Sequence, residues 1–239
     1  MDSSYVAIGR QSGLMNELRT VANNIANIST TGFRREGVVF AEMVEALDVE
    51  GGSVSMSDAR VRFTDDLSGG YTQTGGALDL AISGPGFFMI ETPNGERLSR
   101  AGNFATNAEG ELVTMDGYRV LDSGGSPIFV PQDGSEVAIA TDGTMSSNGQ
   151  PIAQIGVYEM ENPQSLIRED GVMFRFDDAP LMAERSQVKQ GFIEGSNVNP
   201  VQEIARLIEV QRAYELGQSL MDKEHERISA SIRTMGRTS

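Results

Sequence analysis

Near both ends of this 239-residue chain, apolar residues recur at every seventh position, and that spacing constrains the fold more than any other feature. In the C-terminal segment Leu207, Tyr214, Met221, Ile228 and Met235 form one column, while Ile204, Gln211, Gln218, His225 and Ile232 stand three residues ahead of each. A stripe of this kind predicts an amphipathic helix that wants a helical partner. The N-terminal segment repeats the pattern with Ile8, Met15 and Ala22 in one column and Gln11, Leu18 and Ile25 in the other. A helix over residues 201–235 would extend roughly 50 Å at about 1.5 Å per residue, beyond the diameter of a small domain. Both ends are therefore expected to leave the body of the protein and to pair in a coiled-coil-like layer.

The helix boundaries are marked by residue chemistry. Asn199 suits an N-cap, Pro200 suits the first helical position where a missing N–H costs nothing, and Gln202 is placed to close a capping box. Polar residues at Gln211, Gln218 and His225 select register and partner at the expense of stability. Gly217 costs about 1 kcal/mol against alanine within a helix, and a bend is expected there. The first helix is expected over about Ser4 to Ile28, stopping at Thr30-Thr31-Gly32, where glycine can adopt the left-handed cap. Asparagine is a mediocre helix former, so Asn23, Asn24 and Asn27 argue for a role beyond propensity. Asn23 and Asn27 share a face four residues apart, and their amides are expected to bond across packed helices.

Charge separates the ends from the middle. Net charge is −15, and positions 37–199 hold nine basic and 25 acidic residues, so the acidity belongs to the middle alone. An acidic surface is a poor match for phosphate backbones, which argues against nucleic acid as a partner. No stretch approaches the roughly 20 apolar residues that span a bilayer, so no membrane insertion is expected. The opening, Met1 to Arg10, lacks the basic and apolar regions of a cleavable secretory signal, so another route out of the cytoplasm is expected. With no cysteine, disulfide scaffolds, thiolate metal sites and cysteine nucleophiles are excluded.

Glycine follows the same division, with 22 of 27 lying between residues 37 and 199. From Gly37 to Thr74 the pattern is broken by Gly51, Gly52, Gly69 and Gly70, and an extended, partly mobile linker is expected. After Gly76 the pattern turns to β: Leu78, Leu80 and Ile82 alternate, and Phe87 to Ile90 is a short apolar run. Turn signals follow at Asn94-Gly95, Glu109-Gly110, Asp116-Gly117, Gly124-Gly125, Asp133-Gly134 and Asp142-Gly143, a spacing that suits a small sandwich or barrel. The fold class is α+β, a central all-β domain flanked by long terminal helices. The expected division is 1–36 as an N-terminal assembly helix, 37–76 as a linker, 77–185 as the β domain, 186–199 as a return segment and 200–239 as a C-terminal assembly helix.

Catalytic chemistry finds little support. The single histidine, His225, lies in the helix stripe, and the pairs Asp65-Asp66 and Asp177-Asp178 sit in polar turns without a base or nucleophile nearby. Gly84-Pro85-Gly86 does not complete a phosphate-binding GxGxxG. Asp142 to Asn148 has oxygen donors for calcium but lacks EF-hand spacing and the terminal glutamate, so a secreted calcium-binding β module stands as the rival from another class. No catalytic residue, cofactor or metal is expected.

Longer motifs carry a resemblance. Ala22-Asn23-Asn24-Ile25-Ala26-Asn27-Ile28-Ser29-Thr30-Thr31-Gly32-Phe33 resembles the N-terminal signature of flagellar rod and hook proteins. Gln190-Gly191-Phe192-Ile193-Glu194-Gly195-Ser196-Asn197-Val198-Asn199-Pro200-Val201, with Gln211-Arg212-Ala213-Tyr214-Glu215, resembles their C-terminal signature. Asp79 to Phe88, Gly110 to Val113 and Gly117-Tyr118 are similar to the β core of the same family, so most of the chain is covered. Length and the opening Arg10-Gln11-Ser12-Gly13-Leu14 favour a proximal rod member over distal rod or hook-type axial subunits.

The resemblance implies a non-enzymatic structural subunit of the flagellar basal-body rod. It implies passage through the flagellar export apparatus and assembly in the periplasm with other rod proteins and copies of itself into a torque-transmitting drive shaft. The expected assembly residues are Ile8, Met15, Leu18, Ala22, Asn23, Asn24, Ile25, Asn27, Phe33, Asn197, Asn199, Ile204, Leu207, Gln211, Tyr214, Met221, Ile228, Ile232 and Met235. Phe33 is expected to anchor the chain where it re-enters the body, and Arg34-Arg35 to meet acidic groups on a neighbour or solvent. Unpaired amphipathic helices do not recover their ordering entropy, so both ends are expected to be disordered in an isolated monomer.

Overall fold

The computed structural model describes residues 2–46 and 53–235, with side-chain surroundings described for 8–39, 63–227, 229, 230 and 233. The chain falls into two compact units. One, the helical unit, comprises Met1–Ala26, Glu36–Thr64 and Asn199–Ser239; the other, the body, comprises Asn27–Arg35 and Asp65–Val198.

The helical unit holds α1 (Asp2–Ala26), β1 (Glu36–Ala46), β2 (Ser53–Thr64) and α2 (Pro200–Met235). Asn199 caps α2 as its chemistry dictates, its Oδ1 accepting the N–H groups of Val201 and Gln202 at 3.1 and 3.2 Å. Pro200 opens the helix, which runs for 36 residues without interruption. α1 packs against α2 and against both strands. Asn24 meets Glu203, whereas Gln11 meets Tyr214, so the two helices run antiparallel.

Part of the stretch expected to be a linker is a long antiparallel hairpin. β1 and β2 pair from Glu36↔Thr64 to Ala46↔Ser53, with a bulge at Val39/Phe40. The β-branched and aromatic run Val38-Val39-Phe40 supplies strand propensity that the glycine count obscured. Gly51 and Gly52, which weighed on that reading, lie outside the described residues.

The body is built mostly of short antiparallel strands. Its central sheet contains β5 (Phe87–Thr92), β6 (Gly95–Ser99), β7 (Phe104–Thr106), β8 (Leu112–Thr114), β9 (Arg119–Val120), β13 (Val157–Glu159), β14 (Ile167–Asp170), β15 (Met173–Arg175) and β16 (Leu181–Met182). Its main path runs β14-β15-β6-β5-β9-β8-β7, with β13 pairing both β5 and β16. A separate meander joins β10 (Val137–Ile139), β11 (Thr144–Ser147) and β12 (Gln150–Gln154). β3 (Tyr71–Gln73) pairs with β18 (Phe192–Glu194), and β4 (Leu80–Ser83) with β17 (Gln187–Gln190).

Strand alternation divides the apolar side chains of β5 between two clusters. Phe88 and Ile90 join Leu80, Ile82, Leu112 and Val188, whereas Met89 joins Leu98, Leu121, Tyr158 and Phe174. The six glycines that close the turn dipeptides at 95, 110, 117, 125, 134 and 143 all have positive φ.

Candidate assembly interface

In the helical unit the buried stripe of α2 is Glu203, Leu207, Val210, Tyr214, Gly217, Met221 and Glu224, each buried or half-buried. The column Leu207, Tyr214, Met221 lies inward as expected. Its companion column does not: Gln211, Gln218 and His225 are exposed and Ile204 is 49% exposed, because the inward partners stand three residues after each member. The side chains of Ile228, Ile232 and Met235 lie outside the described residues. On α1 Leu14, Glu17, Val21 and Asn24 are buried, each one residue earlier than a member of the predicted columns, whereas Gln11, itself a member, is buried at its predicted position. Ile8 and Ala22 are exposed, and Met15, Leu18 and Ile25 are half-buried at the edge of the stripe.

Polar residues hold this seam because each has a partner. Asn24, with no exposed surface, donates to the carbonyl of Glu36 at 2.8 Å and to Glu203 Oε2 at 3.1 Å, and accepts the Glu36 N–H at 2.9 Å. The amide seen to bridge the two helices is Asn24. Asn23 is exposed and reaches Glu36 at 3.4 Å, while Asn27, in the body, accepts the Thr30 hydroxyl at 3.0 Å within a turn. Glu17 pairs with Arg206, whose Nε lies 2.6 Å away. Gln211 spends its amide on the helix surface, donating to Glu215 at 3.0 Å.

Gly217 lies within the continuous span of α2. A Cβ there would stand 2.6 Å from Gln11 Nε2, which donates to the Tyr214 carbonyl at 3.0 Å. The glycine makes room for a side chain lying across the helix.

The outward side of α2 is also apolar. Val201, Ile204, Ile208, Leu216 and Leu220 are between 46% and 77% exposed. At about 100° of rotation per residue they spread over about 160° on the side away from the buried stripe, with Glu209, Arg212 and Glu215 among them. An α2 with an apolar stripe on each side pairs with α1 through one and presents the other. Among the described residues, no helix is long and apolar enough to cross a membrane.

In the body, Phe33 and Asn197 hold chain segments together. Phe33 is 1% exposed and is covered by the Arg168 guanidinium, 4.6 Å from the ring centroid. Asn197 accepts the Arg35 N–H at 2.5 Å and donates to the carbonyls of Asp65 and Leu67 at 3.3 and 2.8 Å. Its own N–H donates to the Phe33 carbonyl at 3.3 Å.

Arg34, expected to meet solvent or a neighbour, is buried instead. It pairs with Glu194 at 3.1 Å and donates to the carbonyls of Asp66 and Leu67. Burial pushes its guanidinium below the ordinary value, and Glu194 pulls the other way. The second oxygen of Glu194 takes Arg100 Nε at 2.6 Å. Gly32 lies close by with φ +70, and a Cβ there would stand 2.3 Å from the Ala101 nitrogen.

Asp142, the calcium candidate, sits in a turn of its own making. It accepts the Thr144 N–H at 2.9 Å and the Thr144 hydroxyl at 3.0 Å, and these bonds hold its carboxyl below the usual range. Sequence reasoning missed Glu203, Arg206, Arg100 and Glu194 as bonding partners. The repeat of Leu14 and Val21 carried a signal for the inward column of α1; the charged partners carried none.

Three family models match the chain. Residues 5–34 match the flagella basal body rod protein model, 81–147 the flagellar hook protein FlgE/F/G D1 domain, and 189–234 the flagellar basal body rod FlgEFG protein C-terminal model. The chain is 39% identical over 240 residues to the flagellar basal-body rod protein FlgF of Mesorhizobium japonicum, covering 98% of each. It is 38% identical to FlgF of Rhizobium meliloti over 97% of each chain. Against the rod protein FlgG of Bacillus subtilis it is 31% identical, covering 94% of this chain and 95% of the relative.

Proposed function

The chain belongs to the FlgF family of flagellar basal-body rod proteins, and from that premise we propose that its helical unit forms the subunit-to-subunit layer of the rod through the outward stripe of α2. As a member of that family it is a structural subunit of the basal body, not an enzyme, and it associates with other rod proteins.

One observation carries the assembly reading: α2 has a second apolar stripe opposite the one that α1 covers. Burying Val201, Ile204, Ile208, Leu216 and Leu220 against helices of other rod proteins or copies of this chain would recover apolar area at about 25 cal/mol per Å². Of the residues expected at the interface, Ile204 serves this outward contact. Leu207, Tyr214, Met221 and Asn24 act indirectly, by holding α1 against α2 within one subunit. Asn199 sets where α2 begins. The subunit reaches a periplasmic rod through the flagellar export apparatus, a route that rests on family membership.

The test replaces Ile204 and Ile208 together by Asp. Surface positions cost little in the isolated chain, so its unfolding is expected to shift by no more than about 1 kcal/mol, while cells carrying the variant fail to build rods and do not swim. Normal swimming of that strain would overturn the proposal.

A further inference from the structure

Segments far apart in sequence converge on Glu194. Its Oε1 takes Arg34 at 3.1 Å and the Gly69 N–H at 3.0 Å, and its Oε2 takes Arg100 Nε at 2.6 Å. Its backbone carbonyl accepts the Gly32 N–H at 2.8 Å. We infer that the stretch 187–197 is a closing clasp, without which the body does not complete its fold, so that folding of the body waits until the chain behind residue 185 has been supplied.

Backbone pairing is the first ground. Among the described residues, β3 ladders with β18 alone and β4 with β17 alone. β4 lies in the main core: Leu80, Ala81 and Ile82 are at most 1% exposed, and Val188 of β17 packs in the same cluster. Removing β17 takes away the ladder of a buried strand, and buried backbone groups without partners are costly. The hairpins from β5 to β15, by contrast, pair with one another.

Buried charge is the second ground. Arg100 is 1% exposed and Arg34 4%. Arg100 also donates to the carbonyls of Ile82 and Gly84 at 2.8 Å, so it belongs to the floor of the core. A body closed without Glu194 would enclose both guanidinium groups without that shared carboxylate, a strongly destabilising arrangement. Both grounds place the decisive groups at the end of the body's sequence. Because synthesis runs from the N-terminus, the body stays open until its last segment appears. An open body suits passage through a narrow channel; that use rests on the export route proposed above, whereas the clasp itself does not.

The experiment starts from the full chain carrying one protease site after the exposed residue Arg185. The folded protein is cut, the pieces are separated in urea, and each is returned to buffer alone or mixed. Resistance of the stretch 87–176 to a second protease is measured against the concentration of the C-terminal piece. The N-terminal piece alone is expected to be digested, and the C-terminal piece to restore resistance. A C-terminal piece with Glu194→Gln is expected to need at least about tenfold more for the same effect. Resistance of the N-terminal piece by itself, or equal restoration by the Glu194→Gln piece, would overturn the clasp. Neither readout involves export, so the proposed route can fail while the clasp stands.

Discussion

Asn24 has both amide hydrogens and its oxygen engaged, two of the three bonds going to the backbone of Glu36. Asn24→Ala is therefore expected to leave a buried N–H and C=O unpaired and to destabilise the helical unit by about 2–3 kcal/mol. Urea unfolding followed by helical circular dichroism measures this. Asn23→Ala at the exposed neighbour is expected to cost less than about 1 kcal/mol in the same assay. The asparagine cluster was legible as a functional feature, but its inward member was not. Only what the helix packs against fixes its rotation, and that lies elsewhere in the sequence. Tyr158 illustrates a residue effect in the body. Burial raises its hydroxyl above the ordinary phenol value, with the charges of Asp122 and Glu96 adding to the shift. A raised folded-state value means that its contribution is complete below the unfolded value of about 10 and is lost as pH rises through the folded value. Tyr158→Phe, which forfeits a bond to the Asp122 carbonyl, is expected to be less stable by about 1 kcal/mol at neutral pH. Denaturant titrations at several pH values should show that gap closing above about pH 10.

At the scale of the element, α2 shows what periodicity can and cannot decide. The cap at Asn199 and the column Leu207, Tyr214, Met221 were readable, since a capping side chain and a seven-residue repeat are local. The companion column contains Glu203 and Gly217, residues that no count of apolar positions selects, and they lie inward through bonds and shape. Gly217 and Gln11 form one device, which a double-mutant cycle can expose. Gly217→Ala alone is expected to change stability little, because its helix-propensity gain of about 1 kcal/mol is offset when Gln11 must surrender its bond to Tyr214. In a Gln11→Ala background the same change should stabilise by about the full 1 kcal/mol, giving a coupling energy of similar size. The body's turns were the most legible elements, as six glycines stand where the chain needs a left-handed residue. The hairpin at 36–64 was not, because its partner, α1, lies earlier in the chain.

Across the whole molecule, acidity and glycine content foretold a body distinct from its ends. They did not reveal that 27–35 belongs to the body or that 36–64 belongs with the helices, since composition carries no record of where a chain doubles back. The two helices find partners in each other, through a seam that mixes Leu14, Val21, Leu207 and Val210 with Gln11, Glu17, Asn24 and Glu203. Among the described residues such a seam holds fewer buried apolar side chains than the body's two clusters. Limited proteolysis of dilute, isolated chain is expected to remove the helical unit well before it cuts the stretch 77–185, and a body lost first would contradict this. Asn197 has one further consequence. By bonding to residues 33, 35, 65 and 67 it gathers at a single gate three of the four crossings by which the polypeptide enters and leaves the body. A module threaded through one gate can be enlarged, trimmed or exchanged during evolution while the flanking sequence keeps the same two ends to join.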